Sequence, residues 1–101
     1  MPTLKMYVLV RNDLAQTYRI VQGSHALAQY ALTMPDIFKQ WNNNTIIYLG
    51  VKNLIDLKEW KVKLEKLQKK HCSFYEPDLE NQLTAIACYD TGIIFKELTI
   101  A

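Results

Sequence analysis

The sequence predicts a single α/β domain: helices on both faces of a four-stranded, mostly parallel sheet whose last strand is antiparallel. Three observations carry this. Residues 4–10 and 45–51 are short β-branched runs, apolar on both faces, as in the central strands of such sheets. Segments 18–33 and 54–70, which follow them, repeat their apolar residues at helical spacing. The last two strand-like runs, 72–76 and 83–89, are joined by a loop too short for a parallel crossover, so that pair must be antiparallel. At 101 residues there is room for one core, and a single domain spans 1–101.

Taken in order, Arg11, Asn12 and Asp13 break the first strand with turn-prone residues. Thr17 reads as the N-cap of the first helix, with Ile20, Leu27, Tyr30, Ala31 and Met34 as its core stripe and Val21 and Ala28 widening it. Gly23 is costly inside a helix and suggests close backbone packing or a ligand nearby. Pro35 ends this helix and opens a short second one, with Ile37, Phe38 and Trp41 turned inward. Asn53 is a good N-cap for the third helix, whose core stripe is Leu57, Trp60, Leu64 and Leu67. On its other face Glu59–Lys63 and Glu65–Lys69 stand four apart in the favourable order. His71 reads as a partner for that helix's C-terminal dipole, and residues 93–101 close the chain as a short apolar tail.

Half of the residues are hydrophobic and the net charge is +2. Residues 1–51 carry +2, 52–71 carry +4 and 76–101 carry −4, so the basic character gathers on the third helix. Such a chain can bind RNA without its composition demanding it. The lysines of that helix read as a solvated face or, alternatively, as a phosphate-binding one. No run suits a secretory leader or a membrane span, and the expected setting is soluble and cytoplasmic, with no membrane partner. Cys72 and Cys88 lack metal-ligand spacing and read as buried free thiols.

The residues able to carry chemistry gather after the first strand and on the helix that follows: Arg11, Asp13, Arg19, Gln22, Ser24 and His25. Ligands of open α/β sheets bind beyond the carboxyl ends of parallel strands, where a helix N-terminus offers free N–H groups to an anion. His25 can exchange a proton near neutral pH. It can equally be a half-buried residue held by hydrogen bonds.

The string Val8-Leu9-Val10-Arg11-Asn12-Asp13-Leu14, followed by Gln22-Gly23-Ser24-His25-Ala26, resembles the start of type II peptidyl-tRNA hydrolases. Asp78 and the run Leu83-Thr84-Ala85-Ile86-Ala87 are similar to that family's aspartate-bearing loop and final strand. The resemblance is sharp over residues 8–26 and weaker over 76–87. It implies a three-layer α/β/α sandwich on a four-stranded mixed sheet, in agreement with the element order. It also implies an esterase that cleaves the bond between a peptide and the 3′ ribose of tRNA, without metal or cofactor. By the same resemblance His25, Asp78 and Thr84 would surround the scissile ester, and Asp13, Arg19, Gln22, Ser24 and Arg11 would shape the substrate pocket. The family's loop lysine is replaced here by Tyr18, beside Arg19, and its aspartate loop gains an acid, Glu80. The alternative is therefore a catalytically inactive relative that binds RNA or protein. The apolar tail either packs on its own domain or seals a homodimer.

Overall fold

A computed structural model describes residues 3–101. Strand β1 (Lys5–Arg11) is buried from Met6 to Arg11. After it come α1 (Gln16–Thr33), α2 (Pro35–Trp41), β2 (Ile46–Val51), α3 (Leu54–Lys66), β3 (His71–Glu76), β4 (Gln82–Asp90) and a two-residue β5 (Thr99–Ile100). The sheet is mixed and has five strands in the order β3-β4-β1-β2-β5.

Side chains of β1 alternate between two cores. Met6, Val8 and Val10 pack with Ala26, Tyr30 and Trp41 beneath α1 and α2, and Tyr7 and Leu9 pack with Leu57, Leu64 and Phe95 beneath α3. Both faces of the sheet are therefore covered by helices, and apolar runs with no polar face are what such a position requires.

The expected four strands are five, because the tail adds β5, pairing Thr99 with Gly50 and Ile100 with Leu49. The expected mostly parallel sheet is also corrected. Only β1 and β2 pair in parallel, whereas β4 runs antiparallel to both β1 and β3. Strand β3 runs in the direction of β1 and β2, but β4 folds back through a tight corner and inserts between β3 and β1. A 3₁₀ turn at Pro77–Leu79 makes that corner, with Glu80 and Asn81 both at positive φ.

Other local expectations shift. Ala15, not Thr17, flanks the start of α1, and no side chain caps it. Ile20 and Val21 face solvent, while Gln22, Gly23, Ala26 and Tyr30 form the buried face, with Leu27 and Met34 partly buried. Polar Gln22 displaces the expected aliphatics because Glu76 of β3 and Thr84 of β4 supply its hydrogen-bond partners. Gly23 serves close packing: a Cβ there would run into the Tyr48 ring. Asn53 does cap α3, accepting from the Asp56 backbone N–H at 3.0 Å. That helix ends at Lys66 rather than residue 70, with Gln68 in the left-handed region, which leaves Leu67 exposed. The expected pairs Glu59–Lys63 and Glu65–Lys69 give way to Lys61–Glu65 and Lys69–Asp90, each at 2.9 Å. His71 lies in β3, its Nδ1 2.8 Å from the Lys69 carbonyl oxygen, and not at a helix end. Cys72 and Cys88 are both buried, one in each core. Among the described residues, no helix is long and apolar enough to cross a membrane.

Candidate functional site

The polar groups of the site lie where α1 crosses the end of β3 and the start of β4. A buried chain of hydrogen bonds joins the three elements. Thr84 Oγ1 donates to Gln22 Oε1 at 2.6 Å, and Gln22 Nε2 donates to Glu76 Oε1 at 2.8 Å. Glu76 Oε2 then accepts from the Asp78 backbone N–H at 3.2 Å. Thr84 and Gln22 are fully buried, and Glu76 is only 8 % exposed. The Gln22 amide and the Asp78 N–H hold the Glu76 carboxyl below its ordinary range, and the His25 charge and the Tyr18 phenol add to them against the effect of burial. A fixed, ionised carboxylate thus stands between α1 and the end of β3.

His25 is exposed at the outer edge of this chain. It makes no side-chain hydrogen bond among the described residues; its ring lies flat on Phe74 of β3, with centroids 4.4 Å apart and planes at 12°. The stacking restricts the imidazole while leaving its edge open to solvent. Tyr18, one helical turn before Gln22, has its phenol pushed above the ordinary tyrosine range by burial and by the charges of Glu76 and Asp78. It therefore remains a neutral O–H group across the neutral pH range.

The remaining candidates divide. Arg11 is buried and grips Asp13 with two bonds, Nε to Oδ1 at 3.0 Å and Nη2 to Oδ2 at 2.7 Å. Its Nη1 reaches Gln82 Oε1 at 3.0 Å and the Leu83 carbonyl at 3.1 Å, tying the end of β1 to the start of β4. The Arg11 guanidinium lowers the Asp13 carboxyl pKa. Arg19 donates to the Leu14 and Asn12 carbonyls, both at 2.7 Å, and so braces the loop before α1. Ser24 Oγ donates to the Ile20 carbonyl of its own helix at 2.9 Å.

The structure thus joins Gln22 and Thr84 in one hydrogen-bonded chain, attaches Asp78 to it by its backbone N–H, sets His25 on Phe74 beside it, and gives Arg11, Asp13, Arg19 and Ser24 bonds that stabilise the surrounding frame. Glu76, Phe74 and Tyr18 join the site without having been nominated from the sequence. The available signal was Glu76 itself, a carboxylate ending a strand two residues from Asp78. With Cys72 and Phe74 it falls on the side of β3 that faces α1, where Gln22 meets it. Among the described residues, no group of three His, Cys, Asp or Glu side chains is placed to hold a metal ion.

No family model matches the chain, and no curated protein matches it. Among solved structures it resembles a protein of unknown function from Agrobacterium tumefaciens strain C58, with a TM-score of 0.71 at 12 % identity. That similarity covers 100 % of this chain and 99 % of the other, so the two share the whole fold.

Proposed function

We propose that the chain is a hydrolase of carboxylic esters of the peptidyl-tRNA type, with His25 as its base. The observation that carries this reading is His25 itself, an accessible imidazole fixed flat on Phe74 beside a carboxylate anchored by Gln22. In the reaction His25 takes a proton from water as its oxygen bonds to the ester carbonyl carbon. The imidazolium so formed is stabilised by the nearby Glu76 carboxylate. Collapse of the tetrahedral intermediate breaks the bond to the ribose oxygen, which receives that proton from His25. Thr84 acts through Gln22, because its hydroxyl already donates there. Asp78, exposed at the rim, orients the attacking water, and a backbone N–H receives the oxyanion, since the Tyr18 phenol is turned to Glu76. The substrate would be cytoplasmic peptidyl-tRNA, with no bound cofactor taking part.

A second reading is a non-catalytic relative that binds RNA or protein through the same fold; the exposed Asp78 and Glu80, which would repel a phosphate, favour its protein-binding form. Release of peptide from purified peptidyl-tRNA by wild type and by His25→Ala separates the two. The expected result is turnover in the wild type that falls at least about a hundredfold in the variant. No turnover above background in the wild type leaves the second reading in place, and equal release by both proteins removes His25 from the chemistry.

A further inference from the structure

Helix α3 turns Leu57 and Leu64 into the core, yet its opposite face is not simply polar. Ile55, Val62 and Leu67 are exposed there at 66 %, 48 % and 47 %, and Lys58, Lys63 and Lys66 flank them. Glu59 is the single acid on this face, and none of the three lysines takes part in an ion pair among the described residues. Lys63 rests its ammonium 4.7 Å from the centre of the Trp60 ring. An aliphatic stripe with unpaired cations along its borders is a surface with a definite complement.

We infer that the outer face of α3 is a docking surface for an acidic amphipathic helix of a partner protein, whose apolar seam covers Ile55 and Val62 while its carboxylates meet Lys58, Lys63 and Lys66. Charge selects this occupant. A second copy docking face to face would set the same lysines against one another across the two-fold axis, which is repulsive. Single-stranded RNA binds on aromatic platforms, and the aromatic residue here, Trp60, is turned inward against Phe95 at 5.2 Å. A helix lying in a membrane interface commits a broad apolar face with aromatic residues to lipid, whereas the main apolar face of α3 is spent on its own core. A protein helix needs only the seam that is present, and lysine-to-carboxylate contacts set its register.

The test is titration of the ¹⁵N-labelled protein with a synthetic helical probe carrying leucines at i, i+3 and i+7 flanked by glutamates. Saturable amide shifts confined to residues 54–67 are expected, with affinity falling as salt is added. Val62→Asp, on a solvent-facing position, should weaken binding at least about tenfold; Ile55→Asp is the second variant, and circular dichroism confirms that each remains folded. Equal binding of a lysine-flanked version of the probe, or no shifts at all, overturns the proposal. So does self-association mapping to the same residues, or equivalent shifts produced by single-stranded RNA or anionic vesicles in place of the peptide.

Discussion

A glutamine amide with no exposed surface must satisfy both its oxygen and its nitrogen inside the protein, and Gln22 does so through Thr84 and Glu76. Truncation to alanine would take from a buried hydroxyl and an ionised carboxylate their shortest bonds at once, leaving Thr84 only the Phe74 carbonyl at 3.4 Å and Glu76 the Asp78 N–H. Gln22→Ala should therefore destabilise by about 2–5 kcal/mol in urea unfolding, more than its lost volume explains. The double change Gln22→Met with Thr84→Val, which removes both ends of one bond, should recover part of that loss. Glu76 governs a pH effect. Its folded pKa lies below the ordinary value of 4.5, so the stability it contributes is present above that value and is lost as pH falls through the depressed folded one. Wild type should accordingly lose stability below pH 4.5 more steeply than Glu76→Gln, as read from denaturation midpoints against pH. At this scale Gln22 and His25 drew notice by their place on the helix after the first strand, and Thr84 only through the family resemblance; the structure joins Gln22 to Thr84 and leaves His25 exposed. Glu76 was not legible, because a carboxylate at a strand end is ordinarily solvated and the partner that buries it, Gln22, lies 54 residues away in the chain.

Element boundaries were legible where a residue type enforces them. Pro35 opens α2 and Asn53 caps α3 as their chemistry requires. The end of α3 carried no such mark. No glycine or proline lies near it, and Gln68 takes the left-handed turn that glycine usually takes. Leu67 thus falls outside the stripe it would have completed. The consequence is measurable as a contrast between two leucines three residues apart. Leu64→Ala should cost about 2–5 kcal/mol, since Leu64 is fully buried, whereas Leu67→Ala should change stability by no more than about 0.5 kcal/mol. Chemical denaturation of both variants distinguishes these outcomes, and a large loss at Leu67 would restore the longer helix.

Across the whole molecule, the class and the two-sided burial of the sheet followed from its apolar strands, but strand order did not. The mark of that order was present. Leu83-Thr84-Ala85-Ile86-Ala87-Cys88 is buried without interruption, as an inner strand must be, while His71-Cys72-Ser73-Phe74-Tyr75-Glu76 mixes burial with exposure, as an edge strand does. Loop length shows that two strands are antiparallel neighbours. It does not show that the second inserts beside β1, since apolar runs carry no signature of the strand they pair with. The fifth strand, two residues long, is too short to have a period.

The sheet also separates two sulfur atoms, and this gives the protein a pair of independent clocks. Cys72 lies under α1 on the edge strand β3, and Cys88 lies under α3 on the inner strand β4. Burial raises both thiols, Cys88 to about 12, so neither reacts while its own layer is closed. Alkylation of each thiol therefore times the opening of the layer above it. Labelling followed by mass spectrometry should show Cys72 modified first, as the edge peels before the centre. Equal rates would mean that the two layers open only together, in a single global event.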